Sequence, residues 1–198
     1  MLDVDHLNRT FPKYPVTIRD KGWVYGVWYC GTSFQKAEIY GQHPPTYMKR
    51  LRALFPSARR WLVCPSGVIA DRDDTVCIDL VRRKEGRPDI QASADSIPLG
   101  DSTVDVVETD PPYGAEHEEI YGTGKYPRRK SMAEFRRVLR PGGYLCWLDV
   151  RYPMYKRKHW ELVGLIGVIT GFERVTRVLS IFRKMEETPT LFGERDDS

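Results

Sequence analysis

Long hydrophobic runs are missing from these 198 residues, and with them any stretch of the roughly 20 apolar residues that a membrane-spanning helix needs. The opening M-L-D-V-D-H-L-N-R has neither a cationic head nor an apolar core, so nothing there reads as a secretion signal. The protein is expected to be soluble and cytoplasmic. Cysteine is sparse: Cys30, Cys64, Cys77 and Cys146 are scattered without a C-x-x-C pair, which argues against a metal clip or a disulfide framework. The last three lie inside apolar runs and read as small buried hydrophobes in a reducing compartment. No metal site is expected, and no internal repeat is present. What remains is enough to fold: 41% hydrophobic and 12% aromatic residues, in a length that suits one domain with a real core.

Net positive charge is confined to one part of the chain. Between Tyr121 and Trp160 stand eleven Lys or Arg against two acids, so the rest of a chain of net charge +4 is negative. Tyr121, Tyr126, Tyr144, Tyr152, Tyr155 and Trp160 are interleaved with these cations. A solvated helical face would explain the charge alone. Rings among cations point further, toward a polyanion such as nucleic acid, because phosphates attract cations and unstacked bases attract rings.

The first 40 residues, with K-G-W-V-Y-G-V-W-Y-C-G-T, read as an N-terminal extension of one or two short strands. His43-Pro44-Pro45-Thr46 opens a helix whose apolar stripe is Tyr47, Met48, Leu51, Leu54 and Phe55, stopped by Pro56. Short strands are expected at 61–64, 75–79, 89–93 and 103–109, then a helix from about Ser131 to Leu139 ended by R-P-G-G at 140–143. Y-L-C-W-L-D at 144–149 is a continuous apolar strand of the kind buried on both faces. A further helix is expected from Lys158 to Thr170, a strand pair at 174–176 and 178–182, and an acidic, flexible tail over 185–198. Alternating strands and helices imply an open, mostly parallel α/β sheet over 41–184, with ligands beyond the carboxyl ends of the strands.

At one such end stands V-E-T-D-P-P-Y-G, residues 107–114. With it, the chain resembles class I S-adenosylmethionine-dependent methyltransferases of the group that methylates exocyclic amino groups through a D/N/S-P-P-Y/F motif. Asp110, Pro111, Pro112 and Tyr113 match that motif without a mismatch. Val76-Cys77-Ile78-Asp79 is similar to the strand whose terminal acid binds the cofactor's ribose, and Ala94-Asp95-Ser96-Ile97-Pro98-Leu99 to the segment edging the adenine. F-R-R-V-L-R-P-G-G-Y-L resembles the family's helix, turn and fifth strand. The resemblance implies a Rossmann-like fold with a C-terminal antiparallel strand. It implies S-adenosylmethionine held by Pro44, Pro45, Pro65, Ser66, Gly67, Asp79, Asp95, Ser96 and Asp110.

The chemistry suits the motif. An exocyclic amino nitrogen is a poor nucleophile because its lone pair is delocalised into the ring. A carboxylate at Asp110 and the Pro111 carbonyl could accept its two N–H bonds and stabilise the positive charge that develops as a methyl group arrives. Pro111 and Pro112 fix the backbone and add no competing donor. Tyr113 could stack on the base, and a duplex target would have to be flipped out.

Two features depart from the family. Where a glycine-rich turn is usual, Val63-Cys64-Pro65-Ser66-Gly67-Val68 has one glycine, and the links between the first three strands of the sheet are shorter than a parallel crossover normally requires. The first crossover helix is therefore expected to be missing and the second shortened, leaving a thinly covered sheet face as a candidate homodimer interface. The chain also has no room for a separate target-recognition domain. The expected readers are the loop 115–130, with Lys125, Tyr126, Arg128, Arg129 and Lys130, and the cluster Lys156, Arg157 and Lys158. An Asp at the head of the motif favours adenine N6 in DNA over cytosine N4. An RNA base is the near alternative, and a non-catalytic subunit of the same fold is the alternative of another class.

Overall fold

The computed structural model describes residues 1–13, 16–31, 43–67, 73–82, 87–114, 118–119, 124–170 and 176–186. A short helix α1 (Val4–Thr10) precedes strands β1 (Ile18–Asp20) and β2 (Trp23–Tyr29), and α2 (Tyr47–Leu54) follows. Then come β3 (Trp61–Val63), β4 (Thr75–Asp79), β5 (Ile90–Gln91), β6 (Val104–Thr109), α3 (Arg128–Val138), β7 (Leu139–Asp149), β8 (Trp160–Ile169) and β9 (Thr176–Lys184).

All nine strands form one sheet in the order β1-β2-β8-β9-β7-β6-β3-β4-β5. β3 to β7 run parallel, and β9 is antiparallel to both its neighbours, β7 and β8. The chain builds outward from β3 through β4 to β5, then returns to place β6 on the other side of β3 and continues to β7. Between β3 and β6 the winding therefore reverses, which is where an open α/β sheet leaves a crevice at its carboxyl edge.

The pleat sorts side chains into two cores. Val106, Cys146, Ile166, Leu179 and Ile181 face α1 and α2, while Val107, Leu145, Trp147 and Phe182 face the other way, where α3 supplies Met132, Phe135 and Val138. All four cysteines are buried and free. The expected helix starting after Thr46 and the expected strands at 61–64, 75–79, 89–93 and 103–109 are present within a residue or two.

Four features differ from the expectation. Residues 160–169, expected within a helix, are strand β8, because W-E-L-V-G-L-I-G-V-I pairs with β2 on one side and β9 on the other. Its β-branched residues and two glycines suit a pleated surface better than a helix. The expected strand pair near the C-terminus is a single strand, β9, over its described part. R-P-G-G does not stand as a separate turn: α3 ends at Val138 and the chain enters β7 at once, with Gly142 at φ 72° and a register shift against β6 between Val104 and Val106. Finally α1 is a helix where strands alone were expected; Asp3 caps it by accepting from the His6 N–H at 2.8 Å. The expected C-terminal tail lies largely outside the described residues.

Gly164 shows how tightly β8 is seated. A Cβ there would lie 2.8 Å from the Val24 carbonyl oxygen and 3.1 Å from Val24 Cβ. Gly164→Ala should therefore destabilise the protein by about 1–3 kcal/mol, read as a lowered urea midpoint with an unchanged slope. A midpoint equal to that of the parent would show that β2 and β8 can separate without cost.

Candidate active site at the switch point

The motif lies where the topology puts a ligand. β6 ends at Thr109, and Asp110, Pro111, Pro112 and Tyr113 continue from it beside Cys64 and Pro65, which follow β3; Cys64 N donates to the Glu108 carbonyl at 3.1 Å. Three of the segments expected to hold a cofactor converge on this edge. Gly67 adopts φ 54°, and its N–H donates to Asp79 Oδ2 at 2.9 Å, while Val81 N donates to Oδ1 at 3.0 Å. Ser66 N is taken by the Ile78 carbonyl at 2.9 Å. The turn thus directs these two N–H groups inward, leaving shape rather than hydrogen bonding as its means of holding a ligand. Each Asp79 oxygen accepts one bond and has capacity for another, which fits a pair of ribose hydroxyls. Ala92 N donates to the Asp79 carbonyl at 3.0 Å, so the segment leading to Asp95 and Ser96 is fastened beside it.

The N-terminal side supplies the fourth wall. Pro44 is buried and its carbonyl starts α2 by accepting from Tyr47 N at 3.0 Å; Pro45 is half-buried beside Gly31. His43, just before them, reaches β6: its Nε2 lies 2.9 Å from Oε1 of Glu108, whose side chain is fully buried, and its ring stacks on Tyr47 with centroids 5.7 Å apart. Burial pulls the His43 imidazole down, but the Glu108 charge and hydrogen bond, with Asp110 beyond, outweigh it and leave its pKa raised. Glu108 Oε2 and the Tyr47 hydroxyl have no hydrogen-bond partner among the described residues. An unmet buried acceptor next to the motif fits a bound group that carries donors.

Asp110 itself is perturbed. Burial, more than any other cause, pushes its carboxyl up to about 6; His43 and Arg177 oppose the rise, Glu108 adds to it, and the Tyr113 hydrogen bond opposes it. The Tyr113 hydroxyl donates to Asp110 Oδ1, and the Arg177 guanidinium lies 5.3 Å from the Tyr113 ring centroid. The phenol thus holds one motif oxygen, and Arg177 covers the ring that was expected to stack on a base.

Glu108, two residues before Asp110 on β6, and two side chains from distant parts of the chain, His43 and Arg177, therefore join the motif. A fourth secures it from the other face. Arg128 donates to Asp149 Oδ2 through Nη1 and to the Pro112 carbonyl through Nη2, the latter at 2.6 Å. Asp149 is fully buried and also accepts from Trp147 Nε1 at 3.2 Å and Arg151 N at 3.1 Å. Arg128, expected to contact phosphate, is thus engaged inside the protein. Tyr126 is likewise buried, edge-on to Trp147 with centroids 6.4 Å apart, because a ring between β6 and α3 has nowhere to meet solvent. Lys125, Arg129 and Lys130 are exposed, Lys130 lying 3.9 Å from Asp95; part of loop 115–130 is outside the described residues.

Lys156, Arg157 and Lys158 are exposed but lie at the opposite edge of the sheet. Trp160 pairs with Lys184, and Arg183 with Tyr144, where the pairing of β7 with β9 begins, whereas Asp110 follows the row of Thr109 and Trp147. They cannot reach the motif and any ligand bound there together as one compact site.

Comparison with known proteins bears on the fold. No family model matches the chain, and no curated sequence matches it. Among solved structures it is similar to TrmN from Thermus thermophilus, with 17% identity and a TM-score of 0.54 over 76% of this chain and 52% of that one. It is similar too to the putative methyltransferase yhhF from Escherichia coli, with 13% identity and a TM-score of 0.51 over 75% of this chain and 91% of that one. This is the class I methyltransferase fold. Its switch point is the crevice described above, and the expected Rossmann-like sheet with an antiparallel strand near the C-terminus is the one observed. The chain spans about half the length of TrmN. Among the described residues no helix is long and apolar enough to cross a membrane, and no cluster of ligating side chains could hold a metal.

Proposed function

We propose that the protein is an S-adenosylmethionine-dependent methyltransferase acting on the exocyclic amino group of a nucleic-acid base. The observation that carries this reading is Asp110-Pro111-Pro112-Tyr113 leaving β6 at the switch point of this fold, opposite a carboxylate, Asp79, at the end of β4. The cofactor would supply an electrophilic methyl group. Asp79 would hold its ribose, Pro65 to Gly67 would shape its bed, and Asp95 and Ser96 would edge its adenine. Unmet Glu108 Oε2 supports a donor-bearing group on the His43 side.

The chain's own residues then handle the acceptor. Pro112 lends its carbonyl to Arg128, and the Pro111 carbonyl would accept one amino hydrogen of the substrate. Asp110 accepts the second amino hydrogen and takes the proton released as nitrogen becomes cationic. Tyr113 must release Asp110 Oδ1 or share it when a base enters, and Arg177 must yield the ring face if the base is to stack there. Adenine N6 comes first among targets because Asp heads the motif, with DNA before RNA.

The test is to incubate the protein with methyl-labelled cofactor and separate DNA and RNA pools, then digest to nucleosides. Label is expected in N6-methyladenosine or its deoxy form. Label on a ring nitrogen or carbon, or none despite measurable cofactor binding, would overturn the reading, the latter in favour of a non-catalytic subunit.

A further inference from the structure

Among the described residues, one face of the sheet stands open at β2, beside the edge strand β1. β2 alternates: Val24 and Trp28 are buried under α1 and α2, while Trp23, Tyr25, Val27 and Tyr29 turn the other way and are 44%, 43%, 38% and 47% exposed. Register carries this face across the sheet, Tyr25 beside Leu165, Val27 beside Gly167 and Tyr29 beside Ile169, with Ile18 flanking Tyr25 on β1. Gly167 leaves the middle of the floor flat; a Cβ there would meet Val27 Cγ2 at an ordinary 3.6 Å.

Across β8 the face gains a cationic border. Residues 150–159, which connect β7 to β8 without a helix, run over β9, where Tyr155 and Tyr152 pack on Phe182 with centroids 4.9 and 6.3 Å apart. Arg151, Lys156, Arg157 and Lys158 of this strap are exposed, and the strap contains no acid. Phe182 stands two strands from β2, about 10 Å. An open floor of rings thus lies beside a row of cations.

We propose that this face docks single-stranded nucleic acid, with bases stacked on Trp23, Tyr25 and Tyr29 and phosphates along the strap. Alternate residues of a strand put rings about 7 Å apart on one face, a platform that splayed bases can use and a duplex, with its bases stacked inward, cannot. The charge decides between occupants. An apolar protein partner would leave the strap's cations unmet at its rim, and a second copy of the chain would bring two such straps together, like charge against like. A polyanion with planar rings satisfies both halves of the surface.

The inference goes beyond the proposed transfer reaction and shares with it only a nucleic-acid ligand, so it is tested without cofactor. Anisotropy of a fluorescein-labelled oligouridylate and of a duplex of equal length would be measured across salt concentrations, with sedimentation of the free protein alongside. The single strand should bind at least about tenfold tighter than the duplex, and the triple variant Trp23→Ala, Tyr25→Ala, Tyr29→Ala should lose about tenfold or more while keeping its salt dependence. Replacing Lys156, Arg157 and Lys158 by Ala should flatten that dependence, and Trp23→Phe with Tyr25→Phe and Tyr29→Phe should restore most of the binding. Unchanged binding by the aromatic variant would overturn the proposal. So would a wild-type dimer that the aromatic substitutions turn into a monomer. Oligonucleotide binding that survives Asp110→Ala while methyl transfer does not would separate the fate of this surface from that of the motif.

Discussion

Asp110→Ala should lower methyl transfer by at least about a hundredfold while leaving S-adenosylmethionine binding within a fewfold. The carboxylate is asked to meet charge that appears on nitrogen only in the transition state, and loss of one such preorganised group typically costs that much. Cofactor contacts are assigned mainly to Asp79 and the Pro65–Gly67 turn, which the substitution leaves in place. Single-turnover transfer of labelled methyl and calorimetry with the cofactor separate the two effects, and activity within threefold of the parent would remove Asp110 from the mechanism. pH gives a second handle. Because burial pushes the Asp110 carboxyl up to about 6, transfer should rise as pH passes upward through that value and level off above it. The Tyr113 hydrogen bond opposes the rise, so Tyr113→Phe should move the midpoint to higher pH. The linked effect on stability has a definite sign. A carboxyl raised from its ordinary 3.8 contributes stability that is fully present below 3.8 and lost as pH climbs through about 6.

Asp149→Ala should cost about 3 kcal/mol of stability. The carboxylate is fully buried, and its removal leaves the Trp147 indole N–H without an acceptor in the core and releases Arg128. The Arg128 side chain is about one-third exposed, 36%, so water can solvate it in part and the loss should stay below that for a wholly buried pair. Arg128→Ala is the milder and more informative partner. It frees the Pro112 carbonyl, so kcat should fall more than stability does, and Arg128→Lys, which cannot make both bonds with one planar fork, should not restore it. Thermal unfolding of Asp149→Ala within about 1 kcal/mol of the parent would show that the Arg128 bridge carries little.

How far the sequence reaches can be judged from these same residues. Asp110 and Asp79 were legible because each ends an apolar run, and a strand end is where this sheet type places its chemistry. α2 and α3 were legible from apolar stripes. β8 was not, because V-G-L-I-G-V-I is apolar throughout and its alternation becomes visible only when α1 and α2 cover one side. In the sequence α1 is marked only by Asp3 as a cap and by the spacing of Val4 and Leu7. The partners that tune the site could not be read at all. His43 meets Glu108 across 65 residues, and Arg128 meets Asp149 across 21, through register that local pattern does not encode. Tyr126 and Arg128, in a cationic loop, looked like ligand-facing groups for the same reason: sequence gives charge and ring but not which way the loop turns.

The parallel pairing of β2 with β8 sets an order of assembly. Val24 sits opposite Gly164, so the chain must be made as far as residue 164 of 198 before the second strand has a neighbour on its inner side. A nascent chain leaving the ribosome would expose Trp23 to Tyr29 as a bare hairpin edge for most of its synthesis. Such sequence-distant contacts raise contact order and slow folding. The central strands β3 to β7 can pair earlier, and the N-terminal hairpin would then dock last, onto a sheet already formed.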